Sequence, residues 1–349
     1  IHQGLGFVMT DDHAPHAFAD LTPDSILDAV ESIGFRIDAS LLELNSYENR
    51  GYQIGIEDKT PIIAKFYRAE RWSDAEIDEE HAFSFDLFDE ELSVVPPIQA
   101  NSQSLFHYEG LRFSLFKRQG GRAPPVDDLS CLETLGRHIA MIHNVGQRKT
   151  FACRPTFSVT THGHDAVRAV LEGTLLPASA REAYEAVTTQ LLAHLDQYEG
   201  TLKAQRLRIH GDCHMGNVLW RDDHPHFVDF DDARSGPAIQ DLWMLLSGPD
   251  IDQVAQWEAI MRGYQALRDF DLSEIGLIEP LRTLRLIHHA AWVSRRWGEP
   301  AFQRAFAFIG SEKFWSEHIL ELREQLGELS AGTSQLTDQL RSVSFRQRP

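Results

Sequence analysis

Alternation of apolar and polar positions dominates the first third of the chain. GYQIGIE (51–57) and TPIIAKFYR (60–68) both alternate and flank a short polar turn, the pattern of a β-hairpin. VVPPIQA (94–100), SLFHYEG (104–110) and LRFSLFKRQ (111–119) read as further short strands. One helix interrupts them: SDAEIDEEHAFSFDLF (73–88) opens with Ser73 and Glu76 in capping-box spacing. From about Asp127 the period changes. CLETLGRHIAMIH (131–143) puts Leu132, Leu135, Ile139 and Ile142 on one helical face, and REAYEAVTTQLLAHLDQY (181–198) and most of 237–328 continue in that style. The Gly- and Pro-rich KRQGGRAPP (117–125) marks the change. The pattern predicts an α+β fold of two lobes. A small β-rich N-lobe spans 23–117, a larger helical C-lobe spans 118–349, and 1–22 form an N-terminal extension.

Composition narrows the function classes. Against 33 basic residues stand 52 acidic ones, a formal net charge of −19. Phosphate-backbone binding rests on Lys and Arg clusters, so this balance argues against nucleic acid or anionic lipid as the main partner. The charge is read as a solubility feature. Cys131, Cys153 and Cys213 show no CxxC spacing and suggest a reducing compartment without a disulfide framework. No apolar run has the length of a membrane span, and IHQGLGFV lacks the basic flank of a signal peptide. A cytoplasmic monomer is expected. Met9 is a candidate natural start, which would make residues 1–8 non-native.

Candidate chemistry gathers in RLRIHGDCHMGNVLWRDDHPHFVDFDD (206–232), a strand-like approach, a polar loop and a short hairpin turning at Asp222–Pro225. Two short antiparallel strands return the chain to its starting level, so Asp229 comes back beside Asn217, with Asp212 earlier on the same loop. Magnesium prefers such hard oxygen ligands and takes only one or two from protein when phosphates complete its shell. A competing zinc set is His210, Asp212 and His214, since zinc hydrolases keep three ligands and an open water site. Gly211 and Gly216 suggest a loop rather than the strand that set needs. The third reading is a satisfied polar loop without chemistry.

Two further charged positions stand out. Lys65, in IIAKFY, faces the opposite side of its strand from Ala64 and Phe66. On the 73–88 helix the apolar face runs through Ile77, Phe83, Leu87 and Phe88, with Glu80 inside that arc and Glu79 outside it. A carboxylate there needs a partner, which sets Glu80 apart from Glu79.

HGDCHMGN (210–217) resembles the kinase catalytic loop H-R-D-x-x-x-x-N with glycine in place of arginine. Asp229-Phe230-Asp231 stands where kinases carry D-F-G. LGRHIAMIH (135–143) and GPAIQDLWMLL (236–246) resemble segments of the aminoglycoside phosphotransferase and choline kinase branch of the protein-kinase-like fold. Longer runs, among them LNSYENR, KFYRAERW, HGDCHMGNVLWRD and EIGLIEPLRTLRL, resemble the bacterial stress response kinase A family from about Pro23 to about Ile309.

The resemblance implies roles. Asp212 would be the catalytic base, Asn217 and Asp229 the magnesium ligands, and Lys65, paired with Glu80, the grip on the α- and β-phosphates of ATP; the alternative for Lys65 is a stem along the sheet with its ammonium in water. NSYENRG (45–51) stands in the place of a glycine-rich loop, with Ser46 and neighbouring amides receiving phosphate oxygens. Nucleotide would also meet a hinge near 114–118. Asp231 is either a further group at the metal or a solvated side chain. Asp241 would brace the catalytic loop, while Cys213 and His214 face either cleft or core. Arg282, Arg285, His288, His289, Arg295 and Arg296 crowd one late helix and are candidates to line the acceptor cleft, with a solvated charged face as the alternative for some of them. The implied activity is ATP- and Mg2+-dependent phosphorylation of serine or threonine on a protein substrate in stress protection. The alternatives are a small-molecule kinase for an amino alcohol, sugar or antibiotic, and a nucleotide-binding pseudokinase scaffold.

Overall fold

The computed structural model describes residue 18 and residues 21–346 except 45, 126 and 333, so the expectations for residues 1–8 and Met9 lie outside the described residues. Helix α1 (Pro23–Ser32) starts at Thr22, whose hydroxyl accepts from Ser25 N–H, and buries Ile26, Ala29 and Val30 on one face. A five-stranded antiparallel sheet follows, in the order β1-β2-β3-β5-β4. Its strands are β1 (Ile37–Glu43), β2 (Arg50–Ile56), β3 (Lys59–Phe66), β4 (Phe106–Tyr108) and β5 (Leu111–Lys117). Helix α2 (Asp74–Asp89) crosses between β3 and β4. Its capping box is closed: Glu76 N–H donates to Ser73 Oγ at 3.3 Å and Ser73 N–H to Glu76 Oε2 at 2.8 Å.

Two expectations need correction here. The first third carries two helices, α1 and α2, where one was expected. VVPPIQA forms only isolated bridges, at Val94, Pro97 and Ala100. Pro96 and Pro97 have no N–H to donate to a ladder.

Beyond β5 the chain is mostly helical. The helices are α3 (Leu129–Gly146), α4 (Asp165–Glu172), α5 (Ala178–Leu195), α6 (Glu199–Lys203), α7 (Ile239–Trp243), α8 (Asp250–Gln265), α9 (Ile278–Arg295), α10 (Pro300–Ala305), α11 (Glu312–Ala331) and α12 (Gln335–Arg346). Two small ladders carry the loop of interest: β6 (Arg208–Ile209) pairs with β9 (Arg234–Ser235), and β7 (Val218–Arg221) with β8 (His224–Phe227). α3 and α8 pack almost backbone to backbone. A Cβ on Gly136 would lie 2.0 Å from Ile260 O, and one on Gly263 1.8 Å from Glu133 O.

Each lobe has its own core. Ile54, Ala64, Phe66, Phe113 and Leu115 sit in the sheet's core under α1. Phe83 and Leu87 of α2 belong instead to the helical lobe's core, with Leu132, Leu135 and Phe230. α2 therefore ties the sheet to the helical lobe, since its Ile77 packs with Tyr67 and Leu105 while Glu79 and Asp86 bond to the helical lobe. No helix among the described residues is long and apolar enough to cross a membrane.

Candidate active site

Asp241, buried at the start of α7, fixes the loop that follows β6. Its carboxylate accepts from the backbone N–H of His210 and of Gly211, both at 2.8 Å, and His143 Nε2 lies 3.2 Å away. Gly211 has φ 84°, and a Cβ there would stand 2.2 Å from Asp232 O, so only glycine fits. The buried His210 ring packs on Phe230 with centroids 4.5 Å apart. Its Nε2 donates to Val228 O at 3.0 Å, and its Nδ1 accepts from Asp212 N–H at 3.4 Å. Both ring nitrogens are spent within the loop, so the zinc set of His210, Asp212 and His214 is not assembled. Cys213 faces the core, where burial pushes its thiol well above the usual range. His214 faces the cleft: its Nδ1 accepts from Gly216 N–H and its Nε2 approaches Asp212 Oδ2 at 3.4 Å.

The hairpin reading holds in detail. Asp222 and Asp223 both take positive φ (52° and 58°), the conformation of a tight two-residue turn. Val218 pairs with Phe227, and Val228 N–H donates to Asn217 O at 3.0 Å, which returns Asp229 to the level of Asn217. Asn217 Nδ2 donates to Asp212 O at 3.0 Å and approaches Asp212 Oδ2 at 3.4 Å. Its amide oxygen is the atom that could hold a metal. Asp229 is left-handed (φ 60°, ψ 64°), a conformation costing on the order of 1 kcal/mol that clusters at functional sites. Its side chain is 54% exposed.

Lys65 reaches out of β3 opposite the buried Ala64 and Phe66. Its Nζ lies 2.8 Å from Asp229 Oδ1 and 3.2 Å from Asp231 Oδ1. Burial works against the ammonium, but Asp229 and Asp231 carry its pKa well above the usual range. The expected pairing with Glu80 is therefore corrected. Glu80 is buried nearby and acts on Lys65 through space, yet its contacts are Ser84 Oγ at 3.2 Å and His81 Nε2 at 3.6 Å. Helical phase placed Glu80 inward; it could not show that two carboxylates from the β8–β9 segment would take the lysine first. Burial, against the pull of Lys65, pushes the Glu80 carboxyl up to about 7. Glu79 instead accepts the backbone N–H groups of Ala152, Cys153 and Arg154.

Asp231 is not solvated. It is buried between Lys65 and Arg71, whose Nη1 lies 2.6 Å from Oδ2. Burial opposes its ionisation, but Arg71 and Lys65 hold its carboxyl down at about 2. Ser46 lies within the loop before β2. Its Oγ donates to Asn49 O at 2.9 Å and Arg50 donates to its carbonyl, so the loop closes on itself. The loop's outward reach comes from Glu48, which accepts from Arg296 Nη2 at 2.6 Å and from Trp292 Nε1 on the helical lobe. Arg68 of the sheet lobe is paired with Glu299 by a two-point contact beside it.

The late helix α9 divides its charges. Arg285 Nη1 donates to Asp212 Oδ1 at 2.7 Å, Arg296 to Glu48, and His288 stands against His162, its ring centroid 5.0 Å away. Arg282 is paired with Glu279, Arg295 donates to Asp165 O, and His289 stacks on Trp292, so these three do not join the Asp212 group. Burial would raise the Asp212 carboxyl, but His214 and Arg285 bring it to about 2.

Residues 40–276 match the phosphotransferase enzyme family. Stress response kinase A of Escherichia coli (strain K12) is 41% identical over 323 residues, covering 92% of this chain and 97% of that protein. The chain belongs to this family, in its stress response kinase A group. Serine/threonine protein kinase RdoA of Salmonella typhimurium is likewise 41% identical over 320 residues, with 92% and 97% covered. Among solved structures, amicoumacin kinase hAmiN in complex with AMP-PNP and Ca2+ superposes with a TM-score of 0.71 at 16% identity, covering 91% of this chain and 97% of that one. A microcompartment-associated aminopropanol kinase gives 0.67 at 19%, covering 89% and 99%. These likenesses show the bilobal kinase-like fold. The protein is an ATP-dependent phosphotransferase.

Several residues around this phosphotransferase site escaped sequence reasoning. Arg154 donates to the carbonyls of Glu76, Asp231 and Ala233, clamping α2 to the segment after Asp229. Arg71, Asp232 and Arg234 form a chain, Arg71 to Asp232 at 2.9 Å and Arg234 to Asp232 at 2.7 Å. Their only local signal was a run of charges in KFYRAERW and DFDDARS, which does not specify partners.

Proposed function

We propose that this phosphotransferase is a magnesium-dependent serine/threonine protein kinase of the bacterial stress response, with Asp212 as its base. The observation that carries the reading of the site is the grouping of Asp212, Asn217, Asp229 and Lys65 at one end of the β7–β8 hairpin. Asn217 and Asp229 offer hard oxygen ligands, the donor set magnesium takes beside phosphates. Bound there, magnesium would neutralise charge on the β- and γ-phosphates. Lys65 would turn from Asp229 to the phosphates, leaving Asp231 with Arg71. Asp212 would take the acceptor hydroxyl's proton as the acceptor oxygen bonds to the γ-phosphorus and the bond to the departing ADP oxygen breaks. Support for a protein acceptor comes from the relative named as a serine/threonine protein kinase, aligned over nearly the whole chain. The small-molecule alternative draws on solved neighbours of far lower identity.

The test is labelled ATP with magnesium, first alone, then with a generic protein acceptor and a panel of small hydroxyl compounds. Label on protein serine or threonine supports the proposal; label only on small compounds replaces it. Asp212→Asn should keep nucleotide affinity and lose a factor on the order of 10² or more in transfer. Full transfer by that variant would place the base elsewhere.

A further inference from the structure

Asp212 is capped on both oxygens. Oδ1 accepts from Arg285, while Oδ2 is approached by His214 Nε2 and Asn217 Nδ2, both at 3.4 Å. An acceptor hydroxyl must come within about 3 Å of one of these oxygens to pass on its proton. A carboxylate has about four acceptor sites, so the hydroxyl either takes the remaining one or enters where one of the three present donors stands.

Asn217 and His214 are anchored inside the loop. Asn217 also donates to Asp212 O, and the His214 ring is held by Gly216 N–H. Arg285 differs in every respect. It arrives from α9 on a long side chain that is 44% exposed. Asp212 is its sole carboxylate among the described residues, and its other contact is Met244 Sδ at 3.8 Å. Arg285 is the donor free to leave.

A guanidinium pushed off Asp212 is left to water or to a new anion, and the carboxylates that the other cleft cations reach are already paired. Asp231 is held by Lys65 and Arg71, Asp232 by Arg71 and Arg234, Glu48 by Arg296 and Glu279 by Arg282. A carboxylate or phosphate carried by the acceptor itself would complete the exchange. A cationic acceptor would instead set like charges side by side, which is costly at close range.

We propose that Arg285 determines acceptor specificity: it caps Asp212 between turnovers and, once displaced, holds an anionic group next to the acceptor hydroxyl. The inference rests on Asp212 being the base. It also narrows the substrate class to acceptors with an acidic or phosphorylated neighbour.

Matched serine peptides flanked by aspartate, alanine or lysine, and small hydroxyl compounds carrying a carboxylate or an amine, serve as probes. They are compared on the wild type, Arg285→Ala and Arg285→Glu, with ATP hydrolysis in the absence of acceptor read in parallel. The wild type should favour anionic over cationic acceptors by on the order of tenfold or more in kcat/KM. Arg285→Ala should bring that ratio near one, and Arg285→Glu should invert it. Acceptor-free hydrolysis should rise several-fold, roughly, in Arg285→Ala, because water then reaches the base. A wild-type preference for lysine-flanked or amine acceptors, or an unchanged ratio in Arg285→Ala, overturns the proposal. If peptides stay unlabelled while small compounds are phosphorylated, the protein-acceptor reading fails, and the anion-to-cation ratio among those compounds still decides the role of Arg285. If nothing in the panel is phosphorylated, unchanged hydrolysis in Arg285→Ala overturns the capping.

Discussion

Replacing Glu80 by glutamine should stabilise the protein above neutral pH and have a much smaller effect towards pH 5. The buried Glu80 carboxyl titrates near 4.5 in the unfolded chain and about 7 in the fold, burial outweighing the pull of Lys65. The folded state therefore binds this proton more tightly. Below the unfolded value both states carry it; between the two values only the fold does, so stability falls as pH rises, and above about 7 the loss is complete. At about 1.36 kcal/mol per pH unit, the loss comes to about 3 kcal/mol. Glutamine has nearly the same shape, never ionises, and can still accept from Ser84 Oγ. Urea unfolding of both proteins at several pH values, compared at equal slope, reads the difference directly. The other titrating groups are shared and largely cancel. The difference should stay under about 1 kcal/mol near pH 5 and approach about 3 kcal/mol above pH 8. Stability curves that run parallel across this range would refute the assignment of a buried, half-neutral Glu80.

Asp241→Ala leaves two buried backbone N–H groups, those of His210 and Gly211, without acceptors. At about 1–3 kcal/mol each, urea unfolding should show a loss of roughly 2–6 kcal/mol, with faster hydrogen exchange at both amides. Gly211→Ala puts a methyl group against Asp232 O at a left-handed position. It should cut transfer on the order of 10²-fold with an unchanged circular dichroism spectrum. Glu48→Ala frees the 44–50 loop from Arg296 and Trp292. It should raise the KM for ATP and speed proteolysis in that loop, while kcat at saturating ATP moves little.

Much of the local structure was legible because its signals are local. The Ser73–Glu76 capping box, the alternation of 51–57 and 60–68, and the turn at Asp222 each act within a few residues, and each appears in the fold. Helix α1 had a signal that was passed over: Thr22 before Pro23, then Ile26, Ala29 and Val30 at helical spacing. The two prolines of VVPPIQA were a warning against a strand. The ion pairs were of another kind. Lys65 with Asp229, Glu48 with Arg296 and Asp212 with Arg285 join distant parts of the chain. Periodicity gives the face on which a charge lies, and in a chain this rich in charge several partners are compatible with each face. Helical phase is compatible with Glu80 for Lys65, but Asp229 and Asp231 take the ion-pair positions on the lysine.

Those same pairs bear on how the proposed reaction would start. Protein charges stand where ligand charges would come: Asp229 and Asp231 on Lys65, and Arg285 on Asp212. The two contacts that must open are the more exposed ones, Lys65 with Asp229 and Arg285 with Asp212. Asp231 keeps Arg71 throughout, so no buried carboxylate is stranded when Lys65 turns away. Glu48 with Arg296 and Arg68 with Glu299 keep the lobes tied meanwhile. Nucleotide entry then asks for side-chain rotation in Lys65 and acceptor entry for rotation in Arg285, while Asp241 holds the 210–217 loop still. That division explains why the charge density of this cleft is compatible with a rigid loop: the groups that must move are on long, flexible side chains, and the groups that must not are held by backbone hydrogen bonds.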